Sequence, residues 1–312
     1  MTTPDASLRR CPFCDGELPV RPSIVGGDRL LGLPGRFEVR TCSRCGAGTT
    51  EPQLAEEELA ALYPEGYGSH AGGSAGVLGR ALAALKRLQA GAILRSRPFT
   101  DALAGAPGVA LDVGCARGEL AGALIARGWR VAGIEPSAQA AAVAGTNGVE
   151  VLAPTLSRAP LRPGSYDLVI MRHSLEHLAD PVSDLRRVRE ALAAGGRVAV
   201  SLPNYASWQR RAFRGRWFHL DLPRHRTHLG GDALARALRA AGLEPLRMWS
   251  STSVLGLPAS LQYALVGRCI APGGLKLRAL AAVCCVCYPL TWALDGAGGE
   301  RDTLHALAVL RR

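Results

Sequence analysis

Aromatic side chains are scarce, at 5% of 312 residues. Long apolar runs are scarcer still. The most apolar stretch carries Lys276 and Arg278 early and then only sixteen uncharged residues, Ala279 to Leu294, interrupted by Pro289. A membrane-spanning helix needs about 20 apolar residues, so a span is not expected. Met1 to Arg10 lacks the apolar core of a secretory leader, which points to a cytoplasmic chain. No internal repeat is found, which argues against a solenoid or propeller. What is present is ordinary for a globular protein: 48% hydrophobic and 20% charged residues, enough for one large domain or two modest ones. The 37 basic against 26 acidic residues give a net charge of +11. Such a surface suits nucleic acid, phosphorylated substrates or anionic lipid heads. Nine cysteines in a cytoplasmic chain read as metal ligands or core residues before disulfides.

Composition divides the chain into residues 1–50, Gly/Pro-rich with paired cysteines; 51–100, a helical linker or cap with a Gly-rich interruption from Gly66 to Gly79; 101–253, a core; 254–302, an apolar helical insertion; and 303–312, a last core strand. Within the core, short apolar runs alternate with helical patterns, the rhythm of βαβ units around a parallel sheet. Strands are expected at Val109–Val113, Arg130–Ile134, Val149–Leu152, Tyr166–Met171 and Gly196–Leu202. Gly195-Gly196 is expected to end a helix running from Pro181 to Ala194. Ligands on such sheets bind at the carboxyl ends of the strands.

The turn after the first core strand reads Leu111-Asp-Val-Gly-Cys-Ala-Arg-Gly118, and Glu135 ends the second strand seventeen residues beyond Gly118. Gly114 and Gly118 let the backbone turn tightly against a ligand. A carboxylate at the second strand's end can accept both hydroxyls of a ribose. The spacing is not the G-x-G-x-x-G of nicotinamide enzymes. With Glu135, the D-x-G-x-A-x-G pattern resembles the class I S-adenosylmethionine-dependent methyltransferases. Tyr166-Asp-Leu-Val-Ile-Met-Arg-His-Ser-Leu-Glu-His-Leu-Ala-Asp-Pro181 and Ala191-Leu-Ala-Ala-Gly-Gly-Arg-Val-Ala-Val-Ser-Leu-Pro-Asn204 resemble that family's fourth and fifth strand regions. The resemblance covers about half the chain and implies a Rossmann-like, doubly wound, mostly parallel α/β sheet of seven strands. It further implies that Asp112, Gly114, Ala116 and Gly118 hold the methionine part of S-adenosylmethionine and that Glu135 holds its ribose. Many relatives carry an Asp after the third strand for the adenine. Here that stretch is Ala153-Pro-Thr-Leu-Ser157, leaving Thr155 or backbone groups for the task.

Cys11-Pro-Phe-Cys14 and Cys42-Ser-Arg-Cys45 are two C-x-x-C knuckles separated by 27 residues. Together they complete a four-sulfur shell for a structural zinc on a small β-ribbon, with no open coordination position for catalysis. A redox pair would sit beside a βαβ pattern, which is missing there. Cys115, Cys269, Cys284, Cys285 and Cys287 have no ligand spacing and are assigned to packing.

His173 and His177 follow the fourth core strand, and His219, His225 and His228 crowd one loop with Asp221 and Arg224. Methyl transfer to a hydroxyl needs the acceptor in line and a group to take the proton, so His225, then His228, His173 and His177, are the candidates for catalysis. The loop from Trp217 to His228 resembles one in bacterial methyltransferases of surface-glycan and secondary-metabolite pathways. Methylation of an oxygen on a sugar, lipid-linked glycan or small metabolite is therefore expected. Residues 275–294 are read either as a buried or substrate-covering helix or as a peripheral membrane contact. Two alternatives stand beside this reading. One is an RNA base methyltransferase with a zinc ribbon; it is disfavoured because basic residues are not interleaved with aromatics. The other is a catalytically silent scaffold.

Overall fold

The computed structural model describes residues 10–55, 58, 62, 91, 93–269 and 288–311. The Gly-rich interruption, most of the helical stretch before residue 91, and the apolar run through Cys284, Cys285 and Cys287 lie outside the described residues. Three short strands come first: β1 (Ile24–Gly26), β2 (Phe37–Thr41) and β3 (Gly48–Glu51). Helix α1 (Arg97–Ala102) then leads into β4 (Val109–Val113), α2 (Glu119–Ile125), β5 (Arg130–Ile134), α3 (Ala138–Thr146), β6 (Glu150–Ala153), β7 (Tyr166–Arg172), α4 (Pro181–Ala191) and β8 (Leu192–Pro203). The remainder comprises α5 (Trp208–Phe213), β9 (Thr227–His228), α6 (Gly231–Ala240), β10 (Leu243–Ser251), α7 (Gly256–Val266) and β11 (Thr303–Leu310).

Seven strands form one sheet in the order β10-β11-β8-β7-β4-β5-β6. Strands β4 to β8 pair in parallel, while β11 runs antiparallel between β8 and β10. Parallel strands covered on both faces read as unbroken apolar runs. Leu168, Val169, Ile170 and Met171 of β7 accordingly have no exposed surface. Because β4 pairs with β5 on one side and β7 on the other, the strand order reverses at β4. The crevice beyond the carboxyl ends of β4 and β7 is thus the natural ligand position.

Local chemistry explains most helix starts. Asp180 accepts from the Ser183 amide at 3.0 Å with Pro181 at the first turn of α4, and Ser137 accepts from the Ala140 amide of α3 at 3.2 Å. One boundary differs from expectation: α4 stops at Ala191, three residues before Ala194. The amides of Gly164 and Ser165 take the carbonyls of Glu190 and Ala191, and Leu192 already pairs with Tyr166. The glycines instead form an irregularity inside β8, where the register jumps from Leu192 to Arg197 and Gly195 takes φ 79°.

A second sheet has the order β1-β2-β3-β9. Its fourth strand is supplied by the histidine loop, since Gly48 pairs with His228 and Thr49 with Thr227. The N-terminal ribbon is therefore sewn to a segment far along the chain. Residues 288–297 are helical and docked through Asp295, which accepts from Trp208 Nε1 at 2.7 Å and Gln209 Nε2 at 2.8 Å. Among the described residues, no helix is long and apolar enough to cross a membrane.

His305 in β11 lies between Ser201 Oγ (2.8 Å from Nδ1) and Ser251 Oγ (2.7 Å from Nε2), tying three neighbouring strands. Burial pushes this imidazole down to about 4. The unfolded chain therefore takes up a proton near pH 6.5 that the folded chain refuses until about 4. Stability contributed by the neutral ring is complete above pH 6.5 and is lost as pH falls through that window, by up to about 3 kcal/mol. Urea unfolding at pH 7.5 and 5 should show this decline, and His305→Asn should lessen it, other buried histidines keeping the remainder; an equal decline in the variant would assign the pH dependence elsewhere.

Candidate functional site

At the end of β4 the chain makes the turn expected to hold a ligand. Gly114 (φ 80°), Ala116 (φ 49°) and Gly118 (φ 78°) all take left-handed backbone. A side chain at Gly118 would meet Val149 Cγ2 at 3.0 Å and the Ala144 backbone at 3.2 Å, so close helix-to-strand packing requires this glycine. A Cβ at Gly114 would stand 3.1 Å from Ser174 Cβ, which places the turn after β4 directly against the turn after β7.

Glu135 is 3% exposed at the end of β5. Its Oε2 accepts from the Ala116 amide at 2.9 Å and its Oε1 from the Ser137 amide at 2.8 Å. It thus braces the glycine turn against the start of α3. An ionised carboxylate has about four acceptor positions, so the same group suits ribose hydroxyls as well. Asp112 is also buried. Desolvation pushes its carboxyl up to about 7, opposed by Arg172 and reinforced by Glu135. A further cation beside it, such as an amino-acid ammonium, would relieve that cost. Thr155 precedes a short turn after β6, its Oγ1 lying 3.0 Å from Ser157 Oγ.

The two cysteine knuckles have the same backbone. In each, the first cysteine's carbonyl accepts from the residue four positions on, Asp15 and Gly46, at 2.9 Å. Its amide donates to the residue five positions on, Gly16 and Ala47, at 2.8 Å. Asp15 (φ 56°) and Gly46 (φ 72°) take the same left-handed conformation. The knuckles bring Cys11 Sγ within 3.5 Å of Cys45 Sγ and Cys14 Sγ within 3.5 Å of Cys42 Sγ. Four sulfurs about 2.3 Å from a tetrahedral zinc stand about 3.8 Å apart, so this donor set fits a structural zinc.

The four candidate histidines separate into two settings. His228 lies in β9, where Thr50 Oγ1 sits 2.9 Å from its Nε2. That hydroxyl donates its proton to the His225 carbonyl at 2.7 Å, so Nε2 of His228 carries the hydrogen between them. Burial, then His225, pushes His228 down to about 3, keeping it a neutral member of the ribbon seam. His173, His177 and His225 instead surround Glu176, a residue to which no role was assigned from sequence. Glu176 is 2% exposed, in the short turn Leu175–His177 just beyond β7. The nearest imidazole nitrogens are His173 Nδ1 at 3.4 Å and His225 Nε2 at 4.0 Å from Oε1. Burial alone would raise this carboxyl, but the surrounding imidazoles, His173 first, hold it down to about 2. Burial, then His177, pushes His225 down to about 4.

Arg224 fixes this loop. It is fully buried, with Nη1 and Nη2 donating to Asp28 at 2.8 and 2.7 Å, and Nη2 and Nε donating to Asp221 Oδ1 at 2.6 and 3.0 Å. Burial would lower its pKa, yet the two carboxylates raise it, so the guanidinium stays charged. Next along the chain, the Arg226 amide donates to the Glu176 carbonyl at 2.8 Å, and the Thr50 amide donates to the Arg226 carbonyl at 2.9 Å. Ribbon, loop and β7 turn are thereby linked by backbone.

Comparison with known proteins bears on this crevice. A family model described as a methyltransferase domain matches residues 85–247, just over half of the chain. A ubiquinone biosynthesis O-methyltransferase of Marinobacter nauticus is 36% identical over 104 residues, covering 30% of this chain and 44% of that protein. The chain thus matches less than half the length of that relative. The corresponding protein of Bordetella bronchiseptica is 32% identical over 151 residues, covering 44% of this chain and 63% of its own. Among solved structures, a putative sarcosine dimethylglycine methyltransferase from Galdieria sulphuraria aligns over 74% of this chain and 87% of its own, with TM-score 0.50 and 15% identity. The Haemonchus contortus phosphoethanolamine N-methyltransferase 2, in complex with S-adenosyl-L-methionine, aligns over 72% of this chain and 53% of its own, with TM-score 0.50 and 17% identity. At such identities the structural likeness concerns the fold alone.

Two measurements test the ribbon seam. Cys42→Ser should lose the zinc held by the four cysteines, read by metal analysis. Chelation should accelerate hydrogen exchange not only within 10–51 but also in β9 at Thr227–His228, because β3 pairs with β9; acceleration confined to the ribbon would show the seam to be energetically idle. Asp28→Asn removes one carboxylate from Arg224 at constant volume. It should lower stability by about 1.5–3 kcal/mol in urea titration, and an unchanged midpoint would remove the buried ion group from any stabilising role.

Proposed function

The chain belongs to the methyltransferase-domain family, and from that premise we propose that it transfers the methyl group of S-adenosylmethionine to an oxygen of a sugar, glycolipid or small-metabolite acceptor. The observation that carries this reading is the contact between two turns. The glycine turn after β4 meets the turn after β7 at Ser174, two residues before Glu176. The crevice suited to the cofactor and the buried Glu/His cluster therefore share one edge of the sheet.

The residues present fit the cofactor. Gly114 turns the chain in left-handed backbone close against Ser174, where a side chain would not fit, Asp112 offers a carboxylate whose burial favours a neighbouring ammonium, and Glu135 presents a carboxylate at the position for ribose hydroxyls. Thr155 lies at the end of β6, where the adenine would fall. When bound, S-adenosylmethionine supplies an electrophilic methyl on a sulfonium. This chain's own part is to hold the acceptor oxygen in line, to exclude water and to receive the hydroxyl proton at the cluster of His173, His177 and His225. Each of these acts through Glu176 or beside it. His225, with Nδ1 donating to the His219 carbonyl at 2.9 Å, has its Nε2 lone pair between Glu176 Oε1 at 4.0 Å and Asp221 Oδ2 at 3.9 Å. His228 contributes by holding the backbone of this loop to the ribbon.

The related O-methyltransferases support an oxygen acceptor, and the basic balance of the chain supports an anionic one. Leu261, Leu265 and Val266 of α7, with Leu290, Trp292 and Leu294, expose apolar side chains, which supports an acceptor with an apolar portion or a peripheral contact with lipid.

Calorimetry with S-adenosylhomocysteine should show affinity reduced at least about tenfold by Gly114→Val and by Glu135→Ala, the latter because hydrogen bonds to a charged acceptor are worth about 1.5–3 kcal/mol each. Unchanged affinity in both variants would sink the cofactor assignment. Glu176→Gln should keep that affinity and lower turnover about 10²-fold. The acceptor itself is identified by incubating labelled S-adenosylmethionine with fractionated cell extract and locating the label among lipid, glycan, RNA and metabolite. Label in RNA alone would overturn the proposed acceptor class.

A further inference from the structure

Helix α7 is apolar on both sides. Its inner face takes Leu257, Ala259, Ser260 and Tyr263 out of solvent. Its outer face carries Leu261, Leu265 and Val266, all exposed, with Leu265 at 84%. A helix bordering water turns polar residues outward, so this outer face suits a different neighbour. The exposure is not scattered. Eight of the twelve large apolar side chains exposed among the described residues fall between Val254 and Leu294, and such a concentration marks a binding surface. Leu290, Trp292 and Leu294 belong to the helix docked on α5, and α5 in turn packs against α7.

Charge follows the same pattern. Between Glu244 and Asp295 the chain contains Arg247, Arg268, Lys276 and Arg278 and no acidic residue. The end of α7 is also tied to a basic turn. Arg29 donates from Nη1 to the Gly267 carbonyl at 2.6 Å and from Nε to the Gly215 carbonyl at 2.9 Å. Arg214 and Arg216 flank Gly215, and Arg268 follows Gly267, so three exposed cations stand at the C-terminal end of α7. The adjacent Asp28 is buried against Arg224 and presents no carboxylate at the surface.

We propose that the outer face of α7 and its basic end dock on a lipid bilayer carrying anionic headgroups. The side chains match the two layers of such a surface. Leu261, Leu265 and Val266 enter the boundary of headgroup and acyl chain, while Arg214, Arg216 and Arg268 stay at the phosphates. A second copy meeting this face symmetrically would set like charges against each other, whereas the bilayer opposes them with negative charge. The inner face gives the contact a consequence. The Phe218 amide donates to Ser260 Oγ at 2.9 Å, and the rings of Phe218 and Tyr263 lie 5.9 Å apart. Helix α7 thus stands between the bilayer and the loop whose His219 carbonyl holds His225. On the methyltransferase reading above, on which this step rests, an acceptor held in the membrane by an apolar tail meets the side of the protein that carries the Glu/His cluster.

The full chain is sedimented with sucrose-loaded vesicles of phosphatidylcholine alone or with about one third phosphatidylglycerol. It should sediment with the mixed vesicles, at least about tenfold less with the neutral ones, and be released by salt. Leu265→Glu should weaken the partition at least about tenfold, and Arg216→Ala and Arg268→Ala about fivefold each. Leu246→Glu, at an exposed apolar position near the start of β10, should sediment as the parent does. All four variants should keep the parent's thermal midpoint and S-adenosylhomocysteine affinity, since the replaced side chains are exposed. A parent that binds S-adenosylhomocysteine but sediments with neither vesicle overturns the lipid surface and leaves the methyltransferase reading standing. Equal sedimentation with both vesicles, or of a folded Leu265→Glu variant, also overturns it. So does a dimer in light scattering that Leu265→Glu abolishes, which assigns the face to a second copy. A parent that sediments with the mixed vesicles but does not bind S-adenosylhomocysteine supports the surface and overturns the reading on which its use rests.

Discussion

One buried guanidinium organises the loop beside the Glu/His cluster. Arg224 joins Asp28, on the ribbon side, to Asp221 in its own loop, and every distance in that group is 3.2 Å or less. A buried charge of this kind is weak as a source of stability but strict about geometry, because removing either partner leaves an uncompensated ion. The loop that follows therefore has one course. His225 is delivered beside Glu176, Arg226 to the backbone of the β7 turn, and His228 into the edge of the ribbon sheet.

The parallel half of the fold was readable in the sequence because doubly covered strands appear as unbroken apolar runs, and Val109–Val113 and Arg130–Ile134 fall where expected. The glycine turn was readable for a steric reason, since left-handed backbone at Gly114 and Gly118 favours residues without a Cβ. What was not readable depends on partners distant in the chain. The end of α4 is set by Gly164 and Ser165 capturing its last carbonyls, a contact invisible to glycine counting. Strand β9 is two residues long and exists only because β3 lies beside it. Glu176 stands three residues after His173 and one before His177, a spacing that could have drawn notice. Its burial depends on His225, which arrives 49 residues later. The crowding of histidines in one loop was visible, whereas their division into a ribbon seam and a carboxylate cluster was not.

The ribbon is correspondingly more than an appended module. Its two knuckles repeat one turn, down to the left-handed residue after the second cysteine, so the metal-binding end is locally specified by each short segment. Its other end is specified by nothing local: β3 offers its edge to β9, and Thr50 places its hydroxyl between His225 and His228. The thiolate cluster and the Glu/His cluster are thus joined through one small sheet and its flanking loop.

The 196-residue separation between Asp28 and Arg224 carries a temporal meaning as well. Contacts between distant parts of a chain cost the most loop-closure entropy, and such topologies fold slowly. The glycine turn and its brace draw on neighbouring βαβ units and can assemble early. The ribbon can neither gain its fourth strand nor enclose Glu176 until the loop of residues 221–228 has been made and docked. The crevice at the glycine turn can therefore form before the Glu/His cluster is enclosed, so two neighbouring parts of one sheet edge are completed at different stages of folding.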